Sequence, residues 1–120
     1  MAPKTEQYQS TLCNDVTVTI ADGETESSAA SLKGTSLVGI DIPAGFEGTS
    51  LTFQVSSDGI TYNTYYRLLD AAPVTAVVVT GTAGSYSSGN FDFTGYNFIK
   101  LVSATQTGDI TITLKTRPIN

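Results

Sequence analysis

The chain predicts an all-β domain: an antiparallel β-sandwich, jelly-roll-like, of about eight strands, preceded by an N-terminal arm. Three observations predict it. Apolar residues recur with period two in most segments that carry any pattern. Turn dipeptides and tripeptides built on Gly, Asp and Pro separate those segments. The strand candidates are short and spaced roughly 8–14 residues apart, the rhythm of a sandwich and not of a strand–helix alternation. At 120 residues the chain suits one domain, and a chain of this size buries roughly 65–70% of its unfolded surface.

Residues 1–14 show no periodicity and read as the arm, leaving 15–120 for the sandwich. Apart from Met1, its large apolar residues are Tyr8 and Leu12, so the arm either packs on its own sandwich or lies on a partner. Val16, Val18 and Ile20 alternate with Thr17 and Thr19, placing β-branched residues on one strand face and hydroxyls on the other. Ala21-Asp22-Gly23 then turns the chain. Glu24 to Lys33 is serine-rich and weakly helical, a loop or a short edge strand. Val38, Ile40 and Ile42 alternate with Gly39 and Asp41 and end at Pro43-Ala44-Gly45.

Leu51, Phe53 and Val55 alternate with Thr52, Gln54 and Ser56, and Asp58-Gly59 follows. This segment reads as a strand entering a tight hairpin, with Asp58 and Gly59 supplying the φ > 0 conformations and Ser56 and Thr61 bonding to the turn backbone. Ser56 to Tyr62 also has the look of the Asp-box turn, S-x-D-x-G-x-T-W, one residue short and with tyrosine for tryptophan. The propellers that use that turn repeat it in each blade, and here it occurs once. A ligand loop is the other reading of the segment. Tyr62, Tyr65 and Tyr66 come next. On a strand Tyr62 and Tyr66 share a face that Tyr65 opposes. They are either core rings with hydroxyls at the rim or a platform for a sugar or a protein contact.

Val74 to Thr80 is a continuous apolar run, consistent with a strand covered on both faces. Gly81 to Gly89 reads as a surface loop whose tip, near Tyr86, can touch a partner. It lacks the Lys-Ser/Thr ending of a phosphate loop. After Thr94-Gly95-Tyr96, Ile99 and Leu101 flank Lys100. Beyond Thr107-Gly108-Asp109, Ile110, Ile112 and Leu114 alternate with Thr111, Thr113 and Lys115.

Composition narrows function. Eleven acids against 6 bases give a net charge of −5, which repels phosphate backbones and anionic lipid and disfavours nucleic-acid and membrane partners. Charged residues make up 14% of the chain, against about 25% in ordinary domains. The polar surface is Thr, Ser, Asn and Gln, which lose less than ions on burial. Such a surface suits contact with neighbours, although any threonine-rich β protein shares it. The chain contains no histidine, so Ser-His-Asp and Cys-His nucleophilic systems are ruled out. The single cysteine, Cys13, has no basic neighbour in sequence and cannot form an internal disulfide. No metal, no cofactor and no catalytic residue is assigned; the one acidic grouping, Asp22, Glu24 and Glu26, reads as a solvated loop or a calcium site. With no stretch near 18 apolar residues and no apolar leader, the chain is expected to be soluble and made in a cytoplasm.

The order LVGIDIPAGFEGTSLTFQVSSDGITY, a valine-rich run, FDFTGYNFIKLVS and DITITLKTRP resembles a group of small β-sandwich proteins of tailed bacteriophages, found among head and tail structural genes. Their pattern is approximately LVGI-x-MP-x-x-(F/W), LTFQ-x-S-x-DG-x-T-(Y/F), (D/F)-F-x-G-x-x-(Y/F)-(L/I)-K-(L/V)-R-S and L-x-L-x-x-RP. The match runs from about Thr35 to Pro118. Val102 stands where an arginine is common, the loop after Val79 is unusually rich in Gly and Ser, and the first 34 residues lie outside the match. The resemblance implies a non-enzymatic virion component. Its expected form is a decoration or cement protein on the outer capsid surface, assembled in the host cytoplasm. Its partners would be the major capsid protein and copies of itself, as a dimer or trimer. Candidate contact residues are Tyr8 and Leu12 of the arm and the loops around Phe46 and Tyr86. The alternatives are a carbohydrate-binding or host-adhesion module of a fibre, using Tyr62, Tyr65 or Tyr66 on surface glycans, and a head-to-tail or tail accessory protein.

Overall fold

The computed structural model describes residues 14–66, 71–77, 83–87, 93 and 95–118. Nine strands are present among them: β1 (Asn14–Ile20), β2 (Ala30–Ser31), β3 (Thr35–Ile42), β4 (Ser50–Ser56), β5 (Asn63–Thr64), β6 (Thr75–Val77), β7 (Gly84–Ser87), β8 (Phe98–Val102) and β9 (Ile110–Pro118). They form two sheets of order β1-β9-β3-β7 and β2-β8-β4-β5, with β6 also paired to β4, and every pairing is antiparallel.

Both β5 and β6 run along the side of β4 that β8 leaves free. Thr64 pairs Gln54 and Asn63 pairs Val55, while Thr75 pairs Thr52 and Val77 pairs Ser50. They are two halves of one edge strand, with Tyr66 and Pro73 bridging each other between them. Counted so, eight strand positions fill two four-stranded layers. Successive strands cross from one layer to the other except at the β4–β5 turn, which is the jelly-roll path.

The inner faces meet in a single core. Val18 and Ile20 of β1, Leu37, Ile40 and Ile42 of β3, and Ile110, Ile112 and Leu114 of β9 face Leu51, Phe53 and Val55 of β4 and Ile99 and Leu101 of β8. Leu32, Phe46, Val74 and Phe93 close its rim. The outer face of the first sheet carries hydroxyls and charges. Thr19 Oγ1 lies 3.1 Å from Thr111 Oγ1. Lys115 sits between Asp15 at 2.9 Å and Asp41 at 3.4 Å, bridging three strands.

The alternation expected of β1, β4, β8 and β9 is the alternation observed. In β3 the phase differs. The register slips between Leu37 and Gly39, so Val38 is the extra residue of a β-bulge. Leu37 therefore enters the core beside Ile40, and Val38, expected inside, is only half-buried. Gly39 suits the site because a Cβ there would stand 3.1 Å from the Tyr86 carbonyl oxygen and 3.5 Å from Lys115 Cβ.

The Val74–Thr80 run is also corrected where it is described. Thr75–Val77 is an edge segment paired with β4, with Val74 buried and Thr75 exposed, so the two-sided cover expected of it is not found there; residues 78–80 lie outside the described residues. Glu24 to Lys33 is an extended edge, with Glu26 bridging Val102, Ser27 bridging Ile20, and Ala30 and Ser31 pairing with β8. The arm, with Tyr8 and Leu12, lies outside the described residues, and β1 begins at Asn14.

Candidate functional site: an aromatic groove beside β5

The β4–β5 connection is longer than a tight hairpin. Six residues, 57–62, separate the strands, and Gly59 takes positive φ (78°) while Asp58 does not. Side chains shape the loop. The buried Ser56 hydroxyl donates to Asp58 Oδ1 at 2.9 Å and accepts from the Gly59 and Asp58 amides at 2.9 and 3.3 Å. Asp58 Oδ1 accepts further bonds from the Ile60 amide at 2.8 Å and the Thr61 amide at 2.9 Å. The Thr61, Ile60 and Ser56 bonds hold the Asp58 carboxyl below the ordinary aspartate range. It is a carboxylate at neutral pH.

The neighbouring segment fastens the same loop. Asn97 donates from its amide nitrogen to the Ser56 carbonyl at 3.0 Å and from Nδ2 to the Ser57 carbonyl at 3.0 Å. The Phe98 ring closes beneath Gly59, where a Cβ would meet it at 3.1 Å. Ile60 stands at the apex, 84% exposed.

Between this loop, β5 and the segment before β8 lies an open groove of about 450 Å³, lined by Val55, Ser56, Ser57, Asp58, Thr61, Asn63, Thr64, Tyr65, Tyr66 and Tyr96. Tyr65 anchors its wall. The Tyr65 ring packs 4.6 Å from Phe93 and 5.9 Å from Tyr96, and Phe93 packs 5.2 Å from Phe53 in the core. An aromatic chain thus runs from the groove to the middle of the sandwich, fixing the wall with edge and tilted contacts. Tyr66 follows and is 54% exposed.

The three expected tyrosines are therefore divided, though not as strand alternation predicts. Tyr62 lies outside the groove, with Lys100 Nζ 4.5 Å above its ring. Tyr65 and Tyr66 line the groove together. The strand is only two residues long, so alternation ends before Tyr66, and Tyr66 groups with Tyr65 instead of Tyr62.

The contact candidates sit elsewhere. Phe46 is 1% exposed, its ring in the core. Its loop is welded within the chain. Gln106 accepts from the Glu47 amide at 3.0 Å, and its Nε2 shares two hydrogens among the Glu47 carbonyl, the Ala104 carbonyl and Ser103 Oγ at 2.8–3.1 Å. The Glu47 carboxylate takes the Thr107 hydroxyl at 2.7 Å. Any contact through this loop falls to the residues around Phe46. Tyr86, in β7, is half-buried against the core with its ring over Gly84. Neither residue lines the groove. Of the acidic trio, Asp22 accepts the Gly108 amide at 2.8 Å, and its own amide donates to Asp109 Oδ1 at 2.9 Å. Among the described residues no cluster of three His, Cys, Asp or Glu side chains is placed to hold a metal ion.

Sequence reasoning missed Ile60, Tyr96 and Asn97. Tyr96 lies in Thr94-Gly95-Tyr96, which carries only a turn signal. Its place becomes visible once β8 pairs β4. Chemically, the groove supplies rings, hydroxyls, an amide and one carboxylate. Glycoside hydrolysis needs a second carboxylate about 5–9.5 Å from the first, and among the described residues the lining holds one. The geometry is suited to holding a ligand.

No family model matches the chain, and no curated protein does. Among solved structures it is similar to the SPBc2 prophage-derived protein YomS, at 13% identity over 88% of this chain and 95% of that one, with a TM-score of 0.47. It is also similar to the Drosophila NLP core (14% identity, 89% and 99% covered, TM-score 0.45). A third likeness is to CBM32-1 of a Clostridium perfringens family 31 glycoside hydrolase (11% identity, 86% and 76% covered, TM-score 0.41). These are distant likenesses of fold.

Proposed function

We propose that the chain is a non-enzymatic structural protein of a tailed-phage particle, a decoration or cement protein that sits on the outer capsid surface and bridges major capsid subunits. The observation that carries this reading is Ile60. An isoleucine 84% exposed stands at the apex of a loop already fixed by five hydrogen bonds from Ser56 and Asp58. A preorganised loop loses little conformational freedom on docking. Burying the side chain in a partner's pocket then contributes about 1.5–3 kcal/mol toward binding. The loop also carries the S-x-DG-x-T-Y stretch of the phage resemblance, so the most protein-like contact point coincides with the residues that suggest a particle. The net charge of −5 favours a place outside the shell, away from packaged nucleic acid.

Such a protein stabilises a shell by binding the assembled lattice and not its loose subunits. The test is co-sedimentation with empty capsids and, separately, with unassembled capsid protein. Binding to capsids alone is expected, weakened about tenfold or more by Ile60→Asp. Equal binding to loose subunits, or an Ile60→Asp chain that binds capsids as well as the parent, overturns the reading.

A further inference from the structure

The groove is separate from the Ile60 apex, and its chemistry points to a ligand of its own. We infer that it is a binding site for a neutral pyranose sugar. Its volume of about 450 Å³ falls in the range of small-molecule sites, roughly 300–1,000 Å³. The lining sorts the possible occupants. Among the described residues the lining contains no Lys or Arg, so a phosphate or a carboxylate sugar finds no counter-charge among them and meets the negative Asp58. The single carboxylate among the described lining residues is too few oxygen ligands for a calcium ion.

What the lining does offer is an exposed ring, Tyr66, beside a fixed aromatic wall of Tyr65 and Tyr96. The face of an aromatic ring is electronegative, and the C–H-rich face of a pyranose is its complement. Around these rings stand Thr61, Asn63 and Thr64, all exposed. Their side chains donate and accept, as ring hydroxyls require. Asp58 gathers its Ser56, Ile60 and Thr61 bonds on Oδ1; Oδ2 has no hydrogen-bond partner among the described residues and is an acceptor for a pair of adjacent hydroxyls. A quaternary ammonium would want several rings converging on one point. Tyr65 and Tyr96 instead spend contact on each other, at 80° between planes, and form a wall rather than a cage.

The experiment is an amide-resolved NMR titration of the full chain with four probes, the methyl glycosides of galactose, glucose and mannose, and N-acetylglucosamine, with choline as a fifth. Saturable shifts at Thr61, Asn63, Thr64 and Tyr66 are expected with at least one sugar. Tyr66→Ala should retain the spectrum of the folded chain and weaken that sugar about tenfold. Tyr66→Ala should still co-sediment with capsids as the parent does, which separates this site from the capsid contact. The inference is overturned if no sugar gives saturable shifts there, if Tyr66→Ala binds as the parent does, or if choline alone perturbs these amides.

Discussion

Asp58 and Gln106 each hold a loop of this molecule, and they differ in how visible they are from sequence. Asp58 announces itself through Asp-Gly, and its role as collector of loop amides follows from the residue types around it. Gln106 gives no sign. A glutamine between two threonines in a turn has no period or spacing to mark it, yet it is 1% exposed and ties Glu47 to Ser103 and Ala104. Truncating it leaves a backbone amide and carbonyls of two loops unpaired. Gln106→Ala is expected to lower stability by about 2–3 kcal/mol, measured as a shift in the urea unfolding midpoint.

The Asp58 prediction concerns pH. Its carboxyl titrates below the ordinary aspartate range in the folded chain, so the unfolded state binds the proton more readily. The contribution to stability is then present above the unfolded pKa and is lost as pH falls through the folded one. Hydrogen exchange at the Ile60 and Thr61 amides should stay slow from neutral pH into the acid range and rise relative to other loop amides only below it. Asp58→Ala should show fast exchange at both amides at every pH.

At the scale of elements, alternation was legible in four of the longer strands. It gave the inward residues of β1, β4, β8 and β9. In β3 it gave Ile40 and Ile42 and failed at Val38, because a bulge is a property of two strands paired and not of one read alone. Leu37 and Val38 are equally apolar, and only the slip against Thr116 and Lys115 decides which enters the core. The consequence is measurable in a pair of variants. Leu37→Ala should cost about 2–5 kcal/mol and Val38→Ala about 1 kcal/mol or less, in the same unfolding assay. The divided edge strand was illegible for a related reason. Tyr62, Tyr65 and Tyr66 look like one strand, but β5 ends at Thr64 and Tyr66 bridges Pro73. Tyr65 and Tyr66 line one groove. Half of the groove's aromatic wall was therefore foreseeable, and the half from Tyr96 was not.

At the scale of the whole molecule, the jelly-roll path explains why loops 57–62 and 93–97 meet. In sequence they lie more than thirty residues apart, and the β4–β8 pairing brings them side by side, where Asn97 bonds to Ser56 and Ser57. One end of the sandwich thus presents a fixed apolar apex and, next to it, an aromatic groove. The central claim, that gripping an assembled shell is its work, is tested most directly by heat. On the proposed reading, virions that carry the chain, stripped of it and warmed, should release DNA at a lower temperature than intact ones, and adding back the purified chain should restore retention. Stripped particles that hold their DNA as long as intact ones would contradict the claim.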